Sequence, residues 1–311
     1  MPLADLLRPG RQAISFAGLL ARRARGLPRS TAVLAEAMAA LPDPPEQAAP
    51  ASPETWSQAR LSCAEELWGE GFLSPGGREE ILRLAVPLGL SAASSLLLLG
   101  AAAGGPPRTL ATDLNVWVTC LEQDPELREL AARRIQRAGA PIAKRATVGA
   151  WDPLVPAFKE NAYHHALALE ACGGAPPEPI LAALAQCIRP SGQLVLVELV
   201  ADQPLDPDDP DIAAWCALER RRPLLPVTGA ITASLSALGF DIRVIEDQSQ
   251  RHAALAMRGW MHRLRLMRGR KPAPADALNL VTEAELWLRR IRLLQEERIR
   301  LIRWHAFAPG A

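Results

Sequence analysis

The stretch from Leu96 to Glu126, LLLLGAAAGGPPRTLATDLNVWVTCLEQDPE, constrains the fold of this 311-residue chain more than any other. Four consecutive leucines, Leu96 to Leu99, fit a strand buried on both faces. The run breaks at Gly100, crosses Ala101-Ala102-Ala103-Gly104-Gly105 and enters a segment compatible with helix. A second apolar run, Val116 to Leu121, stops at Glu122. Strand, tiny-residue turn, helix, strand and acid is the order of a nucleotide-binding βαβ unit. Small residues let the backbone approach a ligand, and the helix N-terminus offers free N–H groups. A carboxylate after the second strand can accept both hydroxyls of a ribose.

A chain of this length holds one large domain or two small ones. Its formal charge of +1 gives no general attraction to nucleic acid or to an anionic membrane. The five cysteines are scattered and lack C-x-x-C spacing, which predicts buried free thiols in a reducing compartment, the cytoplasm. The five histidines offer no set of metal ligands at suitable spacing. The uncharged window between Arg83 and Arg108 is divided by Pro87, Gly89, Gly100, Gly104 and Gly105, so no apolar helix of ~20 residues fits it.

Residues 1–55 read as a helical extension ending in the Pro/Ala-rich connector LPDPPEQAAPASPE. Its opening is Arg-rich and weakly amphipathic; it suits a helix packed on its own domain or one in peripheral contact with a membrane. Residues 56–311 form the main domain. Trp56 to Trp68 is helical in pattern, and Gly69 to Gly77 is a turn-rich loop whose glycines serve as punctuation or as a lid over ligand. Helices are predicted over Arg78–Val86, Pro125–Ala138, Pro179–Ile188 and Thr228–Leu238. Strands are predicted over Lys144–Val148, Tyr163–Leu169, Gln193–Val200, Ile242–Ile245 and Ile299–Phe307. Arg189 to Gly192 reads as a turn, and Ala201 to Asp211 as an acidic loop of solvated charge. A helical insertion, about residues 251–298, precedes the last strand. Alternation of this kind indicates an α/β, mostly parallel sheet with helices on both faces.

With these tokens assembled, the chain resembles the class I S-adenosylmethionine-dependent methyltransferases, over roughly Trp56 to Phe307. LLLLGAAAGG stands against that superfamily's hydrophobic-acid-hydrophobic-G-x-G-x-G pattern, and VTCLEQDPELRELA against its strand, acid and helix. IRPSGQLVLVELV and LGFDIRVIED resemble the late turn and strands, and WGEGFLSPGG the N-terminal loop of the phosphobase and related small-molecule enzymes. The resemblance implies a Rossmann-like, seven-stranded sheet and S-adenosylmethionine as cofactor. It places Gly100, Ala102 and Gly104 beside the methionine and ribose moieties, Glu122 on the ribose and Gln123 next to the adenine. Asp152 falls near the acid for the adenine amino group, or simply starts a turn. Trp68, Gly76 and Gly77 fall where the loop covers the cofactor. Glu170 is the one acid-base candidate; as a plain reading it equally serves to solvate a strand end.

The departures are specific. Leu98 stands where the superfamily usually has an acid, and Ala102 replaces the middle glycine, which a positive φ would strain. Gly174 and Phe72 stand where the phosphobase enzymes have a histidine and a tyrosine. The function implied is methyl transfer to a small-molecule or lipid-like acceptor, with no nucleic acid partner. The alternative is a catalytically impaired methyltransferase fold acting as a binding or scaffolding subunit. His164 and His165 read as a structural pair, Trp260 and Trp287 as core or pocket residues. The basic run Arg289, Arg290, Arg292, Arg298, Arg300 and Arg303 reads as a solvated helix face or a site for an anionic partner.

Overall fold

The computed structural model describes residues 56–267 and 274–310. The readings made for residues 1–55 lie outside them. Leu96 to Leu99 are fully buried in β1 (Ser95–Leu99), and the alternation of side chains splits them between two cores. Leu96 and Leu98 face a layer built by α1 (Gln58–Trp68), α2 (Gly77–Ala85), α3 (Gly105–Asp113) and α4 (Pro125–Arg137). Leu97 and Leu99 face α6 (Pro177–Cys187) and α8 (Thr228–Ala237) on the other side. A strand covered on both faces has no polar side to offer, which is why β1 is leucine throughout.

The remaining strands are β2 (Trp117–Glu122), β3 (Ala146–Ala150), β4 (Tyr163–Leu169), β5 (Ile188–Val200), β6 (Asp241–Asp247) and β7 (Arg300–Phe307). They form one seven-stranded sheet in the order β3-β2-β1-β4-β5-β7-β6, with β7 antiparallel to both of its neighbours. The chain runs outward from β1 to β3 and then restarts at β4 on the opposite side of β1. That reversal opens a crevice at the carboxyl ends of β1 and β4, the place where open α/β sheets take ligands.

Three local expectations are corrected. The third strand starts at Ala146, because Lys144 and Arg145 finish a short helix, α5 (Ala140–Arg145). The turn expected at Arg189–Gly192 is an irregularity inside β5, where Ser191 has φ 61° and the register with β4 shifts. The acidic segment Ala201–Asp211 ends in a helix, α7 (Pro210–Glu219), started by the Asp209 carboxylate accepting from the Asp211 and Ile212 N–H groups, with Pro210 in the first turn.

Between β6 and β7 stand two helices, α9 (Ser249–Met267) and α10 (Pro274–Gln295). Both pack on α1, α10 through an edge-to-face pair, Trp68 and Trp287, with centroids 5.2 Å apart. Trp260 and Trp287 are both buried. The arginines expected to form a solvated face are paired instead. Arg289 meets Asp211 at 3.2 Å, Arg298 meets Asp209 at 2.9 Å, and Arg300 meets Asp202. Arg290 is buried and bridges two carboxylates. All five cysteines are buried and free. Among the described residues no helix is long and apolar enough to cross a membrane, and no cluster of side chains is suited to a metal ion.

Candidate functional site

A cavity of about 560 Å³ follows the carboxyl edge of the sheet. Taken in strand order, its floor is Trp151 after β3, Glu122 ending β2, Gly100 after β1, Glu170 after β4, Val197 in β5, Leu301 in β7 and Gln248 after β6. Every strand therefore contributes. The roof is the loop Phe72 to Pro75 together with the α2 residues Glu80, Ile81, Arg83 and Leu84.

Glu122 is 8 % exposed, and burial pushes its carboxyl above the ordinary range while backbone N–H groups pull it back. Its Oε2 accepts from the Ala102 N–H at 3.0 Å and its Oε1 from the Asp124 N–H at 3.1 Å. Two donors fix the carboxylate's direction, and each oxygen retains a further lone pair toward the cavity. The first donor comes from the tiny-residue turn. There Ala102 has φ 48°, a left-handed conformation that costs a residue bearing a Cβ about 1–3 kcal/mol. Its bond to Glu122 helps to hold it there. The positive φ that would strain an alanine is thus what the turn adopts, yet the cavity stays open beside it.

The glycine-rich loop is fastened directly to this turn. Gly105 N–H donates to Gly71 O at 2.9 Å, and a Cβ on Gly71 would stand 2.5 Å from Gly105 N. Only glycine allows that approach. Glu65 accepts from Gly71 N–H at 3.0 Å and pairs with Arg134, whose Nη1 also donates to Ala103 O at 3.0 Å. One ion pair thereby ties α1, the loop, the turn and α4 together. Gly69 and Gly71 act as punctuation, and the residues after them, Phe72 to Pro75, close over the cavity.

Of the residues singled out from the sequence, Gly77, Gly100, Ala102, Glu122, Gln123 and Glu170 come together on the cavity wall. Four do not reach it. Gly104 is the left-handed cap of α3, packed on Ala131, and Gly76 is the corresponding cap of α2. Trp68 is buried against Trp287. Asp152 is exposed and its Oδ1 accepts from Leu154 N–H at 2.8 Å, so it starts a turn while its neighbour Trp151 lines the cavity. Gln123 points its amide away from β2, donating to Ala171 O at 2.9 Å and so tying that strand end to the loop after β4.

No protein-family model matches the chain, and no curated protein sequence does either. Solved structures do match. A phosphoethanolamine N-methyltransferase 2 from Haemonchus contortus, determined with phosphomonomethylethanolamine and S-adenosylhomocysteine, superposes with a TM-score of 0.70 at 16% identity. The match covers 83% of this chain and 59% of that one, so the chain spans little more than half of the nematode protein's length. Geranyl diphosphate C-methyltransferase from Streptomyces coelicolor gives 0.56 at 12% identity, covering 74% and 78% of the two chains. The [4+2]-cyclase SpnF gives 0.60 at 18% identity, covering 81% and 93%. The chain has the class I S-adenosylmethionine-dependent methyltransferase fold. Since SpnF is a cyclase, sharing this fold leaves the reaction to be argued from the site.

Within the methyltransferase fold three features stand out. Leu98 is fully buried in the helical core and does not line the cavity, so an acid at that position would be surrounded by leucine, valine and alanine. Glu170 has φ 44° and gives its Oε1 to Arg290 at 2.7 Å; Arg290 also holds Glu219 at 2.6 Å and is 5 % exposed. The Glu170 carboxylate is thus occupied by an ion pair at the exit of β4. Last, the far end of the cavity carries Glu80, Arg83, Gln248 and His252, none of which stood out in the sequence. They come from two distant segments and belong to no spacing pattern, so only the folded sheet brings them together.

Proposed function

We propose that this chain binds S-adenosylmethionine and transfers its methyl group to a small-molecule or lipid-like acceptor. The observation that carries the reading is Glu122: a buried, doubly anchored carboxylate facing a cavity at the topological switch point, with the glycine-alanine turn beside it. These residues fit the group. Glu122 would take the ribose hydroxyls on its remaining lone pairs, Gly100 and Ala102 would bring backbone close to it, and Trp151 and Gln123 would flank the adenine. Bound there, the cofactor supplies an electrophilic methyl on a sulfonium centre. The chain's own part is alignment and exclusion of water, with the Phe72–Pro75 loop and α2 as the covering. Glu170 contributes charge at the exit of β4, where Arg290 holds its carboxylate.

The competing reading, a binding or scaffolding subunit with this fold, draws support from Leu98, from strained Ala102 and from the Glu170–Arg290 pair. Calorimetric titration with S-adenosylmethionine and S-adenosylhomocysteine separates the two. Methyl transfer requires binding that weakens roughly ten- to a hundred-fold in Glu122→Ala, the size of one lost charge-assisted contact. No heat at millimolar ligand favours the scaffold instead.

A further inference from the structure

The two ends of the cavity are chemically different. Glu122 ends β2 and Gln248 follows β6, five strand spacings away across the sheet. At about 4.8 Å per spacing that is roughly 24 Å. A nucleoside seated on Glu122 therefore leaves the Gln248 end for something else. That end sets Ile81, Leu84, Val197 and Leu301 beside Glu80 and Arg83, which pair with each other.

Two nitrogens stand out there. Gln248 Nε2 and His252 Nε2 are buried and without a hydrogen-bond partner among the described residues, although both residues line the cavity. Gln248 is 3 % exposed and His252 7 %. They lie one helical turn apart, with His252 N–H donating to Gln248 O at 2.8 Å, so their side chains share a face. The amide cannot turn over. Arg83 has only donors, and its Nη2 lies 2.5 Å from Gln248 Oε1, so the oxygen must face Arg83 and the NH₂ must face away. Arg83 is itself held by Glu80 at 2.6 Å, and Glu80 by Arg251 at 2.7 Å. His252 is braced by the Trp287 ring at 5.7 Å. Burial, with the Arg290 charge adding to it, pushes the imidazole down to about 3, so the ring is neutral.

We propose that Gln248 and His252 form a recognition subsite for an uncharged hydroxyl group, and that the methyl acceptor is an elongated alcohol or phenol carrying it. A hydroxyl oxygen accepts from Gln248 Nε2, and its hydrogen or second lone pair meets His252 Nε2 in either tautomer. An anionic group is disfavoured. Arg83, the guanidinium that holds Gln248, is already committed to Glu80, and a buried charge without its own partner is costly. The word acceptor rests on the methyl-transfer reading, whereas the subsite stands on this geometry alone.

The test uses the full chain and two probes of nearly equal shape, 2-naphthol and 2-methylnaphthalene, titrated by ligand-observed NMR with and without S-adenosylhomocysteine. The subsite predicts at least a ten-fold preference for 2-naphthol. It also predicts that Gln248→Leu and His252→Phe each reduce the preference below about three-fold, with S-adenosylhomocysteine affinity unchanged. Thermal melts identify a variant that fails to fold, in which case the other one decides. Equal affinity for the two probes in the wild type, or a preference that survives both substitutions, overturns the proposal. So does a ten-fold loss of S-adenosylhomocysteine affinity in Gln248→Leu, which assigns this end to the cofactor. Failure of the cofactor reading shows separately, as absent S-adenosylhomocysteine binding with the naphthol preference intact.

Discussion

Glu198 lies in β5 and is fully buried, and its carboxylate is held by backbone N–H groups. Its carboxylate accepts from Cys172 N–H at 3.0 Å and from Leu199 N–H at 3.2 Å. Burial pushes its pKa up to about 7, and the Glu170 charge adds to the effect. An acid whose folded pKa is raised binds more protons folded than unfolded between its ordinary value and about pH 7. Stability therefore falls as pH rises through that window and is constant above it. Glu198→Gln keeps the shape and removes the titration. The variant should melt above the wild type at pH 8 and close to it at pH 5, the alkaline difference being of the order of 3 kcal/mol. Thermal melts at the two pH values check this; an equal offset at both means that burial of the charge is not the cause.

At the scale of elements, the clasp between α1, the glycine loop and the turn after β1 depends on Arg134, which holds both Glu65 and Ala103 O. Removing it leaves Glu65 half-buried without its charge partner. Arg134→Ala should cost about 2–4 kcal/mol and should raise amide exchange most in residues 69–77, as hydrogen-exchange mass spectrometry would show. Uniform loss of protection would mean that the clasp is not local. The elements of this clasp were readable in advance where local rules dominate: the leucines of β1, Glu122 at a strand end, and acids early with arginines late in α4. They were misread where one residue changes sense with context. Asp209-Pro210 looks like loop chemistry and is a helix start, while Ser191 turns left-handed inside a continuing strand. Asp152 and Gly104 follow the expected order along the chain yet miss the cavity, because sequence order does not say which side of a turn faces it. Arg83, Gln248 and His252 were unreadable for a stronger reason, since no pattern links residues joined only by the packing of α2 on the β6–α9 junction.

For the molecule as a whole, the two cores on either side of the sheet are joined through β5 and β7. Trp304 in β7 is fully buried and donates to Thr232 Oγ1 of α8 at 3.1 Å. Trp304→Ala should cost about 3–5 kcal/mol, read as a lower urea midpoint with an unchanged slope; a shift confined to one probe of structure would indicate that the two layers unfold separately. The place of β7 has a further consequence. It is the last of the seven strands in sequence but sits between β5 and β6, pairing both. During vectorial synthesis every earlier strand can emerge from the ribosome while β5 still lacks a neighbour and β6 has nothing to pair with. The exposed β5 edge, rich in valine and leucine, is then a surface on which nascent chains can join each other, and an assisting factor that shields it until residues 300–307 arrive would govern how much of this protein a cell recovers.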